Sequence, residues 1–373
     1  MSDKRVERLE TTILDVPLRR PHRFARASMD AQPMLLVRVH TAGGVTGIGE
    51  GVVPGGPWWG GESVETMKAI VDTYLAPVVV GQEVDRIADI QQRMHDVSAE
   101  NLFAKAAVEV ALHDAWGRTL GVPVHTLLGG LARDSIAVTW ALGTEEAGVV
   151  VDEALEKLDS GQHHSFKLKM GAQSPEDDTR RIVEIASKLA CRAGVRVDLN
   201  ARWDRLTSLR YLPRLVEAGV ELIEQPVPAE DIEGMVAINA ALPIPVMADE
   251  SLRTPRDAYR LARLGAADVY SLKTTKSGGL RNTRMIADVA AAAAIPCHGG
   301  TAIEGPIGTA GSLHLACALP NVTFGSELFG PLLMREELLT TPLEYRDGHL
   351  HLPSGPGLGV ELDPDAVAKF TRS

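Results

Sequence analysis

The chain changes its hydrophobic period partway along. Residues 6–53 alternate apolar and polar positions, most clearly over Met34–His40, the period of half-buried strands. T-A-G-G-V-T-G-I-G-E follows at 41–50, with hairpin chemistry at Gly43-Gly44. Helical spacing then predicts helices at roughly Glu62–Leu75, Val84–Val97 and Phe103–Leu120, the last with Asn101 as N-cap and Gly121 as stop. Strands followed by a run of helices predict a separate α+β domain.

From about Ser135 short apolar runs alternate with amphipathic helices. Strand ends are expected near Leu142, Met170, Asn200, Pro226, Asp249, Lys273, His298 and Glu327. The later ends lie 24 to 29 residues apart, the length of a strand, a turn, a helix and a turn. Eight such units predict an α/β fold closed into a (β/α)8-type barrel, with its site at the C-terminal ends of the strands. A doubly wound open sheet is the rival. It gathers polar groups mainly at a switch point, whereas here nearly every strand ends on one. The expected division is 1–125 for the first part of the α+β domain, 126–330 for the barrel, and 331–373 for a segment without the repeat. In that segment P-L-E-Y-R-D-G-H-L-H-L-P reads as a hairpin returning to the first domain.

Charge narrows the partners. A net charge of −11 and a pI near 5.5 argue against a nucleic-acid or anionic-membrane surface. An acidic protein that takes an anionic substrate must concentrate positive charge locally. Cys191, Cys297 and Cys317 lie far apart with no C-x-x-C, which fits reduced thiols and a cytoplasmic location. The start M-S-D-K-R-V-E-R has no apolar signal core, and the most apolar window, Met285–Pro296, contains Asp288 and is too short to span a bilayer.

Three of the predicted strands stop on acids: Asp198 in R-V-D-L-N, Glu224 in L-I-E-Q-P and Asp249 in V-M-A-D-E. A carboxylate ending a buried strand is costly unless paired or bound to metal. Singly, each reads as a salt-bridge partner. As a trio 26 and 25 residues apart, they suit hard-cation binding, Mg²⁺ rather than Zn²⁺. Asn200 and Glu250 are candidates to orient these ligands, and Glu250 has Lys273 or Lys276 as alternative partners.

F-K-L-K-M at 166–170 puts Lys167 and Lys169 on one face. Two adjacent ammoniums are expected to lower one or both pKa values, which suits proton transfer near neutrality. An isolated K-x-K is more often a solvated strand end. Lys273, ending the sixth strand, faces that pair across the barrel, or else forms a structural salt bridge. His298 reads as structural. Glu327 ends strand eight and either pairs with a lysine or, if protonated, binds a substrate carboxylate. Candidate substrate contacts also come from His22 and Arg23 in loop 19–29, from Trp58 and Trp59 in loop 53–61, and from Gly299 and Thr301 in H-G-G-T. S-G-G-L and H-G-G-T match no phosphate fingerprint and read as tight turns. A Schiff base on Lys273 in an aldolase-like barrel would leave the three acids without a purpose. A non-catalytic binding barrel would leave the assembled charges unexplained.

Together K-x-K, D-x-N, E-Q-P, A-D-E and S-L-K-x-x-K-x-G-G resemble the enolase superfamily. The chain is most similar to the muconate lactonizing subgroup, with G-I-G-E at 47–50 and G-S-E-L-F-G-P-L-L at 325–333 extending the likeness along the chain. The resemblance implies a (β/α)7β TIM-like barrel under an α+β capping domain. It implies Mg²⁺, or Mn²⁺ in its place, on Asp198, Glu224 and Asp249. The implied reaction is cycloisomerisation of the dicarboxylate cis,cis-muconate to muconolactone through a metal-stabilised enolate. Lys169 is then the acid that protonates it, Lys167 a charge beside the metal, and Lys273 the group on the opposite face. o-Succinylbenzoate synthase, N-succinylamino acid racemase and dipeptide epimerase use the same lysine pair and are the alternatives. The resemblance also implies a homo-oligomer. The loops V-P-G-G-P-W-W-G-G-E-S and P-H-R-F-A-R-A-S-M depart from the subgroup's pattern, which bears on binding mode and stereochemistry.

Overall fold

The computed structural model describes residues 3–23, 28–189 and 192–372; Cys191 and Arg26 fall outside them, as does the side chain of Arg23. Three strands open the chain: β1 (Val6–Arg23), β2 (Ser28–Thr41) and β3 (Thr46–Gly51), paired antiparallel in that order. The turn between β2 and β3 is the expected one, with Gly44 at φ +81°. One face of this sheet is covered by the helix Leu102–Leu120, which ends on Gly121 in the left-handed region. Its close approach explains G-I-G-E: a Cβ at Gly47 would stand 2.2 Å from Ala111 O, and one at Gly49 would stand 2.0 Å from Ala107 O.

The start of that helix differs from expectation. Asn101 is left-handed at φ 61° and makes no side-chain cap. Glu62 does this instead, accepting from Phe103 N at 2.9 Å and Ala104 N at 3.3 Å. A carboxylate distant in sequence thus occupies the place a local asparagine normally takes. The segment read as one helix at 62–75 is Val64–Ile70 followed by a π-helical turn, Val71–Leu75.

After the short β4 (Ser135–Ala137) come eight parallel strands: β5 (Trp140–Leu142), β6 (Ser165–Lys169), β7 (Gly194–Asp198), β8 (Leu222–Glu224), β9 (Val246–Ala248), β10 (Val269–Leu272), β11 (Cys297–Gly299) and β12 (Val322–Ser326). They pair in sequence order, and a bridge from Val138 to Ser326 joins the first to the last. Seven helices of ten residues or more separate them. This is the expected barrel, and the open-sheet alternative fails because the edges meet. The strands are three to five residues long, and most are continuously buried, as parallel strands covered by helices require.

The C-terminal hairpin, β13 (Tyr345–Arg346) and β14 (His349–His351), pairs with β4 at the barrel's start rather than with the first sheet. Other parts of the tail do reach that sheet: Thr371 bridges Leu14, and Met334 bridges Leu18. No helix among the described residues is long and apolar enough to cross a membrane.

Candidate active site

The barrel's interior is layered. Leu222, Met247 and Val269, with Phe324 against them, form a buried apolar floor. The strand period of two carries the chain from Leu222 to Glu224 and from Met247 to Asp249, so these carboxylates stand directly above that floor. Register aligns Lys169 with Asp198 and Asp198 with Glu224 on adjacent strands. All three acids are fully buried.

Lysines answer them. Lys169 Nζ donates to Asp198 Oδ2 at 2.6 Å and to Asn200 Oδ1 at 3.0 Å. Lys167 Nζ donates to Glu224 Oε2 at 2.9 Å, lies 3.3 Å from Asp198 Oδ2, and pairs with Glu327. Lys273 Nζ donates to Asp249 Oδ2 at 2.6 Å, while Lys276 holds Asp249 through both Oδ1 (2.5 Å) and the backbone carbonyl (2.6 Å). Gly300 makes room for the Lys273 stem, since a Cβ there would stand 2.8 Å from its Cε.

Electrostatics correct one expectation. Burial opposes the charge on Lys167, but Glu224, Glu327 and Asp198 outweigh it and hold the ammonium well above its usual range. Its neighbour along the strand does not set its pKa; three carboxylates from other strands do. Lys273 is likewise raised against burial, chiefly by Asp249. Burial pushes Asp249 up, yet Lys273 and Lys276 hold it well below the carboxylate range. Glu327 is also held low, by Lys167 and His298 against burial. It is therefore an ionised partner of a lysine, not a protonated donor to substrate.

His298 is structural, as expected. Burial lowers its pKa, so the ring is neutral. Its Nδ1 lies 3.0 Å from Phe324 O and 3.3 Å from Arg196 Nη1, and Glu327 Oε1 lies 3.2 Å from Nε2.

Glu250 takes neither candidate lysine as its hydrogen-bond partner. Its Oε1 accepts from Trp59 Nε1 at 3.0 Å and from Asn200 Nδ2 at 3.1 Å. Asn200 also reaches Asp198, so one amide links the acids of two strand ends. Gln225, which the sequence reading left unused, does the same between β8 and β9: its Oε1 accepts from Asp249 N and from Ser251. Asn200, Ala201, Gln225 and Ile303 all hold positive φ. Such conformations gather where surrounding contacts over-determine the backbone.

Among the described residues no three His, Cys, Asp or Glu side chains stand as a closed cage for a metal, because ammonium groups come between them. The donor set nevertheless fits a hard dication. Glu224 Oε1 is buried with no hydrogen-bond partner. Burial, then the charge of Asp198, pushes the Glu224 carboxyl up to about 8. The neighbouring charges of Asp198, Glu327 and Asp249 all oppose ionisation of Glu224, a repulsion that a bound dication would relieve.

Above the carboxylates lies a small cavity. His22, Trp58, Trp59, Asn200, Thr301 and Glu327 line it beside Lys167, Lys169 and Lys273. The Lys273 ammonium sits 4.6 Å from the centre of the Trp59 ring. Gly299 does not join the lining; its missing Cβ admits Ser326 across the strand pair. Pro54, Ile303 and Phe329 line the cavity too, with no polar signal to mark them in the sequence.

The S-G-G-L turn has an anion after all, and the chain supplies it. Glu109, on the Leu102–Leu120 helix, accepts from Leu280 N at 2.8 Å and Arg281 N at 3.0 Å, the first amides of helix Leu280–Ala292. A Cβ at Gly279 would stand 2.4 Å from its Oε2. Glu50 on β3 does the same for helix Pro306–Ala318, accepting from Gly305 N at 2.6 Å and Gly308 N at 3.0 Å. Buried acids of the first domain thus sit at the positive ends of two barrel helices.

A barrel with paired lysines facing acids on three consecutive strands, beneath an α+β domain, defines an enolase-type architecture. The chain belongs to that family: residues 8–129 match the mandelate racemase / muconate lactonizing enzyme N-terminal domain, and residues 149–366 match the enolase C-terminal domain-like family. Among its relatives is muconate cycloisomerase 1 of Rhodococcus opacus, 62% identical over the full length of both chains. A chloromuconate cycloisomerase of Cupriavidus necator is 42% identical over 99% of this chain and all of its own. The crystal structure of muconate lactonizing enzyme from Pseudomonas fluorescens with muconolactone superposes with a TM-score of 0.97 at 42% identity, covering 99% of this chain and 100% of that one.

Proposed function

We propose that this chain is a muconate cycloisomerase, an isomerase that closes cis,cis-muconate to muconolactone. Full-length 62% identity to a muconate cycloisomerase, against 40–44% to the chloromuconate enzymes, supports the unsubstituted diacid as substrate. The observation that carries the chemistry is the pair Lys169 and Lys273, lining one cavity above Asp198, Glu224 and Asp249.

Metal dependence comes with the family, and Mg²⁺, replaceable by Mn²⁺, is the ion we assign. Asp198, Glu224 and Asp249 would hold it, and the partnerless Glu224 oxygen supports that role. When bound, the ion supplies Lewis-acid stabilisation of charge developing on a substrate carboxylate.

The reaction converts a dianion and one proton into a monoanion. One carboxylate of muconate adds to the double bond within the same molecule. A C–O bond forms, and the electron pair moves to the carbon beside the other carboxylate. Lys169 delivers a proton to that carbon. Asp198 and Asn200 hold its ammonium at the cavity's edge with little rotational freedom, so orientation is set before substrate arrives. Lys167, buried and shared among three carboxylates, contributes fixed charge rather than a transferable proton. Lys273, stacked on Trp59, supplies charge on the opposite face. Thr301 and the pair Trp58 and Trp59 bound the substrate on its free sides, with His22 above. A homo-oligomer is part of the proposal by analogy with the family alone; light scattering that returned a monomer would remove it.

The test is loss of the muconate ultraviolet chromophore with added Mg²⁺. Turnover is expected. No turnover with muconate, but α-proton exchange in succinylated amino acids, would replace this reading with the racemase alternative.

A further inference from the structure

Ile303 lines the cavity in a conformation that its own side chain opposes. Its φ is 61°, left-handed and rare for a β-branched residue. Two buried acids flank it. Glu304 accepts from Ala302 N at 3.0 Å and from the Thr301 hydroxyl, and that hydroxyl accepts from Ile303 N at 2.9 Å. Glu50 arrives from the other domain and fixes the next residue, Gly305, at 2.6 Å. A further close approach ties in the opposite wall: a Cβ at Gly330 would stand 2.0 Å from Glu304 O, and Gly330 follows Phe329.

We propose that Glu50 is a positioning residue for substrate selectivity: with Glu304 it holds Ile303 in the left-handed conformation and so sets how large a substituent the muconate chain can carry. The inference rests on the muconate reading and deepens it. Glu50 is not among the residues that line the cavity. It acts through the backbone of residues 301–305, three of which line the cavity. The first domain thereby shapes the pocket from behind the barrel wall, without lining it at this point.

Kinetics with cis,cis-muconate and 2-chloro-cis,cis-muconate provide the test, on the wild-type chain, Glu50→Gln and Gly305→Ala. Gly305 has φ −69°, which alanine accepts, and its added Cβ would stand 2.9 Å from Glu50 Oε2 and from the flexible ends of Met34 (2.9 Å) and Met334 (3.1 Å). That variant therefore shifts the clamp without a backbone penalty and decides the question if Glu50→Gln fails to fold. The ratio of kcat/KM for the two substrates should change at least threefold in each folded variant, mainly through KM, with Mn²⁺ affinity unchanged. An unchanged ratio and KM in folded variants, with only a lowered Tm, would overturn the proposal. A wild-type chain inactive on both muconates would count against the functional reading instead.

Discussion

Glu109→Ala removes an anion from the N-terminus of a barrel helix in another domain. Glu109 is fully buried. It accepts two backbone N–H bonds from Leu280 and Arg281, and its carboxylate lies 3.3 Å from His113 Nδ1. Hydrogen bonds to a charged group are worth about 1.5–3 kcal/mol each, and the orphaned amides are not resolvated. The two amide bonds then put the cost at about 4 kcal/mol. Unfolding entropy near 2.1 cal/mol/K per residue amounts to about 0.8 kcal/mol/K for 373 residues, so Tm should fall by about 5 °C. His113 adds a pH signature. Burial opposes its charge, but Glu109 raises its pKa above the usual value. That contribution is fully present below the unfolded pKa of about 6.5 and is lost as pH rises through the folded one. Without the Glu109 carboxylate, burial is opposed only by the residue-109 backbone carbonyl, 3.1 Å from His113 Nδ1; His113 is then depressed and its contribution reverses, so that stability is lost as pH falls. The gap between wild type and variant should therefore widen from pH 8 to pH 6. Urea unfolding at several pH values measures it. A gap under about 1 kcal/mol, or one flat over that range, would refute the assigned role.

Three further outcomes follow from the site. EDTA should abolish turnover and Mg²⁺ or Mn²⁺ should restore it; turnover that survives chelation removes the metal assignment. Lys273→Met should lower kcat by roughly 10- to 100-fold through lost charge while leaving the side of proton delivery unchanged; loss of the single-face deuterium placement in D₂O in this variant would make Lys273 the acid. Trp59→Phe keeps the aromatic face over Lys273 but loses the N–H bond to Glu250; KM should rise severalfold with Tm nearly constant, and an unchanged KM would place Trp59 outside substrate positioning.

Much of the site was legible because chemistry and period coincide. Asp198, Glu224 and Asp249 each follow an apolar strand at a barrel's spacing, and buried acids in that pattern have few structural reasons to exist. Lys167 shows where such reading fails. Its neighbour along the strand suggested a lowered pKa, but Glu224 and Glu327 come from two other strands, and distance in space decides. The same failure hid Glu62, Glu50 and Glu109, which cap helices 41 to 258 residues away. Glycines 279, 305 and 308 were the available signal, since each leaves a helix start open to a carboxylate. Gly299 looked equivalent but serves the strand pair. Pro54, Ile303 and Phe329 carry no polar signature, so only the folded wall reveals them.

The central claim is that Lys169 places the new proton. Proton NMR of muconolactone formed in D₂O tests it most directly. Wild type should give one deuterium on a single face of the carbon beside the carboxylate, while Lys169→Ala, still folded, should lose at least 100-fold in kcat. Undiminished turnover in that variant, or deuterium spread over both faces by wild type, would contradict the account.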